Sequence, residues 1–412
     1  MTERSTADAT GTDGTPEPAP LLEPREGLPE VVTDAAGLDR VITGMGAGHG
    51  PVAIDAERAS GYRYGHRAFL IQLRRAGAGT ALIDPIHFDD LADLGEALIG
   101  AEWVLHAASQ DLPCLSDLSM KPARLFDTEL AGRLLGLPRV GLSALIESQL
   151  GYRLEKAHSA ADWSTRPLPE DWLRYAVLDV ELLIELRDVL AQQLTDAGKA
   201  EWAHQEFAAI VAAPPAAPRK DPWRRVSGIH RIRNRRRLAA VRELWFERDD
   251  LARRRDIAPG RVLPDSAIIE AATVLPDTQD DLTALPIFRG RSQRREAARW
   301  FGAIERTRTL PEAALPPATA PYDGPPPPRA WASRQPEAAD RLAAARTAVG
   351  ALADELHVPV ENLLAPDALR RVAWIPPDPL TAETVADALR GCGARPWQIE
   401  LTVPVILSAF SR

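Results

Sequence analysis

The chain has 412 residues, of which 45% are hydrophobic and 26% charged, with a formal net charge of −9. That length exceeds one ordinary domain and the composition supports real cores, so two or three folded units of a globular protein are expected. No run of eighteen or more apolar residues occurs, which argues against a transmembrane helix, and Cys114 and Cys392 support neither a disulfide framework nor a zinc ribbon. The opening stretch MTERSTADATGTDGTPEPAP contains no apolar run of the kind a secretory signal needs, so a cytoplasmic location is expected.

Residues 1–28 are rich in Thr, Pro, Gly and acid. Such a segment buries too little surface to offset its ordering entropy, and a disordered tail is expected. In residues 29–210, the apolar runs PVAID (51–55), AFLIQL (68–73), TALID (80–84) and EWVLHA (102–107) predict buried strands. The first three lie close enough together for a meander. FDDLADLGEALIG, DTELAGRLLG and GLSALIESQLG have helical spacing. LPEDWLRYAVLDVELLIELRDVLAQQL predicts one long amphipathic helix, with Pro169 near its first turn. Meander strands followed by strands interleaved with helices indicate an α/β unit, a mixed sheet covered by helices.

The Pro-rich break APPAAP (213–218) separates this unit from a helical one at 219–308. Residues 309–330 include Pro325 to Pro328 in a row and predict a stiff polyproline linker, followed by a second helical unit at 331–412. The negative total hides a basic segment: residues 219–255 hold 14 Arg or Lys against five Asp or Glu. Arg224, Arg225, Arg231, Arg235 and Arg236 are its candidate phosphate contacts, a solvated helix face being the alternative.

Three sets of residues carry potential chemistry. Asp55 and Glu57 end the PVAID strand at positions i and i+2, so both carboxylates face one side and can converge on a cation; a solvated strand end is the ordinary alternative. Asp111 follows the EWVLHA strand near a helix start, where a plain N-cap is the alternative. Tyr175 and Asp179 stand at i and i+4 on one helix face. His106 reads as a buried strand-end histidine, and Trp163 as a packing residue. Each set has a bland explanation by itself; their joint occurrence in this order is what distinguishes them.

With IDAER, LIQL, LIDP, LHAASQDL, FDTELAGRLLG, GLSALIESQLG, YRLEKAHSAADWSTRPL and YAVLDVELLIEL in sequence, residues 48–198 closely resemble the ribonuclease D family of DEDD exonucleases, in the variant with a tyrosine. The resemblance implies a ribonuclease H-like mixed sheet flanked by helices. It also implies a metal set of Asp55, Glu57, Asp111 and Asp179, binding two Mg²⁺ or Mn²⁺ ions. On this reading Asp55 bridges the ions, Glu57 and Asp179 complete one site, Asp111 supports the other, and Tyr175 orients the attacking water. Removal of nucleoside 5′-monophosphates from RNA 3′ ends, with tRNA precursors as substrate, is the implied activity. Lys156 and Arg166 match basic positions that could touch phosphates, or serve as salt-bridge partners, while Ala157, His158 and Gln110 depart from the family pattern.

The segment DPWRRVSGIHRIRNRRRLAAVRELWFERDDLARRRDIAPGRVLPDSAIIEAA resembles an HRDC domain, the helical module that follows ribonuclease D catalytic domains and occurs in RecQ helicases. Residues 331–412 resemble an HRDC-like domain more distantly, through ENLLAPDALRRVAW and a helix ending in VPVILSAF. The expected partner is RNA with a free 3′ end, or single-stranded DNA, and no membrane. A DNA 3′–5′ exonuclease and an inactive nucleic-acid-binding scaffold are the rival readings. Presence of all four acids and the tyrosine speaks against the scaffold.

Overall fold

A computed structural model of the chain describes residues 18–154, 158, 160–319, 322 and 324–411. Strands β1 (Ala19–Leu21) and β2 (Val31–Val32) precede helix α1 (Ala35–Ala47). The expected meander follows as β3 (His49–Arg58), β4 (Ala68–Ala76) and β5 (Gly79–Ile83). Next come α2 (Ala92–Ala97), β6 (Glu102–Leu105), α3 (Leu112–Asp117), β7 (Arg124–Asp127), α4 (Thr128–Leu134), α5 (Leu142–Leu150) and β8 (Tyr152–Leu154). Helices α6 (Glu170–Glu181), α7 (Leu183–Asp196) and α8 (Ala200–Ala212) close this part.

Among the described residues, six strands form one mixed sheet in the order β2-β5-β4-β3-β6-β7. β3 pairs antiparallel with β4, and β4 with β5; β2, β6 and β7 join in parallel. Val52, Ala53 and Ile54 are fully buried, as expected of a central strand covered on both faces. Helix α6 lies across β3 and β4, with Ala176 and Val177 packed against Phe69, Leu70 and Leu82. This is the α/β fold that the sequence pattern predicts.

Three local features differ from expectation. The single long helix is two, because the chain turns at Leu182 (φ −112°, ψ 9°). The break lets Leu183, Leu186, Leu190 and Leu194 of α7 enter the main core, each worth about 1.5–3 kcal/mol of burial. A continuous helix could not serve both this core and the α6 face. RLFD forms strand β7 before the helix of DTELAGRLLG, and Asp127 accepts from the backbone N–H groups of Ala107, Ala108, Glu129 and Leu130. Residues 1–17 of the expected disordered tail lie outside the described residues, but 18–28 are held in place. β1 pairs with β8, and Glu23, Arg25 and Glu26 make ion pairs with Arg174, Glu185 and Arg74. These polar anchors replace the apolar burial the segment lacks.

Residues 219–308 build helices α9 (Arg235–Arg255), α10 (Pro259–Val262), α11 (Asp265–Val274), α12 (Gln279–Ala284), α13 (Arg291–Arg295) and α14 (Ala297–Arg308). They enclose a separate core around Trp223, Leu244, Ile268, Phe288 and Trp300. This bundle docks on the loop that leaves β3. Ala258 N–H donates to Tyr62 O (2.8 Å), Arg261 to Gly61 O (2.7 Å), and Tyr64 Oη to Asp249 (3.1 Å).

The remaining helices are α15 (Trp331–Arg334), α16 (Pro336–Glu355), α17 (Val360–Leu363), α18 (Pro366–Trp374), α19 (Ala382–Gly391) and α20 (Pro396–Phe410). Their apolar faces are continuous with the core of the sheet. Trp202 of α8 stacks on Trp397 of α20 with ring centroids 4.8 Å apart, and Lys199 Nζ donates to the carbonyls of Leu134 and Leu356, both at 2.7 Å. Gly136 (φ 73°) sits so close to His357 O that a Cβ would not fit. The polyproline run expected to be a stiff linker is tied to the helices that follow: Trp331 Nε1 donates to Pro326 O, and Arg370 to Pro325 O.

Candidate active site

At the end of β3 the strand alternation turns Asp55 and Glu57 to one face, beneath α6. Helix α6 presents Asp179 to them, and ligand-capable oxygens of Asp55, Glu57 and Asp179 all lie within 4.8 Å of one another. Asp111 and Tyr175 line the same cavity, of about 560 Å³, together with His106 and the start of α5 at Gly141 to Ala144. The five residues singled out in the sequence therefore meet in one place. Asp111 precedes α3 but does not cap it; its Oδ1 instead lies 3.2 Å from the guanidinium of Arg58.

Burial and mutual repulsion set the protonation of this cluster. Desolvation, then the charges of Asp55, Asp179 and Asp111, pushes Glu57 up to about 10. Desolvation and then Asp55 push Asp111 up to about 8, against the lowering effect of Arg58. Asp55 and Asp179 are raised as well, chiefly by burial. The Tyr175 hydroxyl is raised by burial and by Asp179 and Glu57, so it stays protonated at neutral pH. Directly across the strand pair from Asp55 lies Gln72, fully buried with both amide atoms unpartnered. Buried carboxylates of this number remain ionised at neutral pH only beside added positive charge. Hard oxygen donors suit Mg²⁺ or Mn²⁺, so the residues present fit such ions.

Other candidates stand elsewhere. His106 is lowered to about 4 by burial, and its Nδ1 lies 3.0 Å from Thr128 Oγ1, so it lines the cavity as a neutral ring. Trp163 is fully buried, with ring centroids 5.4 Å from Trp172 and 6.4 Å from Tyr175. Arg166 is not a phosphate contact here: its guanidinium makes two bonds to Asp84 (2.6 and 2.8 Å) and further bonds to the carbonyls of Phe69, Trp163 and Thr165. Lys156 lies outside the described residues.

The basic cluster divides in two. Arg224, Arg235 and Arg236 turn inward: Arg224 donates to Pro317 O, Arg235 to Leu315 O, and Arg236 to the carbonyls of Thr307, Arg308 and Leu310. They hold the end of α14 and the following segment, as cations at a helix C-terminus do. Arg225 and Arg231 are exposed, with no ion-pair partner among the described residues.

Arg58 is the site residue that sequence alone did not single out. It directly follows the D-x-E pair, where regular alternation would turn its side chain to the opposite face. The pairing shifts here, Glu57 lying opposite Leu70 and Arg58 opposite Ala68, so the extra residue is Phe69 of β4; the long Arg58 side chain nonetheless reaches Asp111 and the cavity wall.

Comparison with known proteins accords with this geometry. Residues 29–195 match the family model described as 3′-5′ exonuclease, 237–304 that of the HRDC domain, and 324–410 that of the 3′ to 5′ exonuclease C-terminal domain. The ribonuclease D of Gluconacetobacter diazotrophicus is 33% identical over 284 residues, covering 67% of this chain and 71% of the relative. That of Acidiphilium cryptum is 33% identical over 323 residues, covering 76% and 78%. This chain belongs to the ribonuclease D family.

It is accordingly a nuclease with a 3′–5′ exonuclease domain and an HRDC domain. A crystal structure of a protein from Bifidobacterium adolescentis, 40% identical, superposes with a TM-score of 0.88 over 96% of this ribonuclease D family chain and all of that one. Escherichia coli RNase D, described as an exoribonuclease involved in structured RNA processing, shares the fold at 24% identity. Its TM-score is 0.65, over 88% of this chain and 98% of that one. Among the described residues, no helix is long and apolar enough to cross a membrane.

Proposed function

We propose that this protein is a 3′–5′ exoribonuclease that releases nucleoside 5′-monophosphates one at a time from RNA 3′ ends, with tRNA precursors as the substrate class. The observation that carries the reading is the convergence of Asp55, Glu57 and Asp179 within 4.8 Å in a cavity that also holds Asp111 and Tyr175. Asp55, Glu57, Asp111 and Asp179 would hold two Mg²⁺ or Mn²⁺ ions. When bound, such ions make water nucleophilic at neutral pH and offset negative charge on the phosphodiester.

The protein's own groups do the positioning. Tyr175 keeps its proton beside Asp179, so it would turn its O–H from Asp179 to the attacking water as a hydrogen-bond donor and would not act as a base. His106, neutral, adds no charge to the wall of the cavity. Exposed Arg225 and Arg231 contact the RNA backbone electrostatically, independent of sequence. The nuclease unit spans 29–210, the HRDC unit 219–308, a linker 309–330 and the second helical unit 331–412.

The test uses matched single-stranded RNA and DNA with labelled 5′ ends, incubated with Mg²⁺ or Mn²⁺. A ladder shortening from the 3′ end of RNA, abolished by Asp55→Ala, is expected. Endonucleolytic fragments, or activity untouched by that change, overturn the mechanism. Faster shortening of DNA selects a DNA exonuclease, and binding without shortening selects a scaffold.

A further inference from the structure

Arg58 is the one Arg or Lys among the described residues lining a cavity that also contains Asp55, Glu57, Asp111, Glu129 and Asp179. It reaches there from the last position of β3. Its Nη2 lies 3.2 Å from Asp111 Oδ1, while its side chain keeps about a quarter of its surface open to solvent and that of Asp111 is 7% exposed. The guanidinium thus occupies the position of a cation at the very acid expected to support the second metal ion. A carboxylate oxygen engaged by a guanidinium is a poorer ligand, and two cations on one acid repel. A phosphodiester offers what Arg58 would lose, because guanidinium groups pair with phosphate through two parallel N–H bonds.

We propose that Arg58 is an exchangeable counter-ion of the carboxylate cluster: it holds Asp111 until the second divalent ion arrives and then transfers its guanidinium to a phosphate of the bound strand. This rests on the two-ion reading above. It calls for rotation of the Arg58 side chain, about a quarter of which is open to solvent. It makes Arg58 a substrate contact whose removal changes ion binding and strand binding in opposite directions.

The test titrates Mn²⁺ into the full chain by calorimetry, without nucleic acid, for the parent protein, Arg58→Ala and Arg58→Gln. Binding of a phosphorothioate RNA oligonucleotide in Ca²⁺ is measured on the same proteins. The expected result is a second Mn²⁺ site about ten-fold tighter in both variants and oligonucleotide affinity about ten-fold weaker, the size of one charge-assisted hydrogen-bond set. Arg58→Gln keeps the side-chain bulk, so it provides the measurement if Arg58→Ala does not fold. Two Mn²⁺ ions bound by parent and variants with equal affinities overturn the proposal but leave the two-ion reading standing, as does unchanged oligonucleotide affinity. Absence of any Mn²⁺ binding to the parent overturns both.

Discussion

At the scale of residues, charge crowding dominates. Glu57 and Asp111, raised to about 10 and about 8, bind protons more tightly in the folded chain than in the unfolded one. Their contribution to stability is therefore complete below the unfolded values near 4 and is lost as pH rises toward the folded values. Protein held in EDTA should melt at lower temperature at pH 8.5 than at pH 5.5, and Glu57→Gln should flatten that slope; an unchanged slope in the variant would refute the assignment. Added Mn²⁺ should restore the melting temperature at pH 8.5. Tyr175→Phe, which removes one hydroxyl, should lower kcat about 100-fold, in the range of a lost positioned proton donor, with KM little changed in steady-state assays. The acids were legible in the sequence because D-x-E on a strand and Y-x-x-x-D on a helix have fixed geometric meaning. Arg58 was not, since its contact with Asp111 comes from tertiary packing that strand alternation does not record. Nor was the commitment of Arg166, because its partner Asp84 lies 82 residues away.

Among elements, what hydrophobic period alone dictates was readable and what tertiary context decides was not. The meander of β3, β4 and β5 follows from alternation and closely spaced apolar runs. The break between α6 and α7 does not, because LDVELLIEL satisfies a helical period throughout. The turn at Leu182 serves two surfaces that no single straight helix could cover. β7 was hidden for a related reason: RLF is too short to declare a strand before the helix signal of TELAGRLLG begins. The interface of α8 with α20 is an element-scale feature with a measurable weight. Trp397 is 2% exposed, stacks on Trp202 and donates to Glu206. Trp397→Ala should cost about 3–5 kcal/mol, the usual penalty for emptying an aromatic core site, read by urea denaturation. A cost below about 1 kcal/mol would mean that the interface collapses around the gap or contributes little.

For the whole molecule, the division of the arginines separates binding from stability. Replacing Arg225 and Arg231 together by Ala should weaken RNA binding and make its salt dependence shallower by about 0.7 in log–log slope per charge removed, the single-strand value, while leaving the melting temperature unchanged. Replacing Arg235 and Arg236 should do the reverse, lowering the melting temperature because the carbonyls of Thr307, Arg308 and Leu310 lose their donor. Equal effects of the two pairs on RNA affinity would show that the inward arginines also reach nucleic acid. Composition and Pro-rich breaks suggested three units, but nothing in the sequence foretold that one hydrophobic core would be shared between residues 29–210 and 331–412.

That shared core has a consequence for the order in which the chain can fold as it is made. Lys199 and Trp202 complete their contacts only when Leu356 and Trp397 have been synthesised, a wait of roughly ten to forty seconds at ordinary rates of elongation. The unit that emerges first is thus completed after the HRDC bundle, whose core draws on no later residue than Ile304. Protease pulses on ribosome-bound chains should cut within α8 until residue 397 has left the exit tunnel, and the bundle should resist earlier. In synthesis, the nuclease is begun first and finished last.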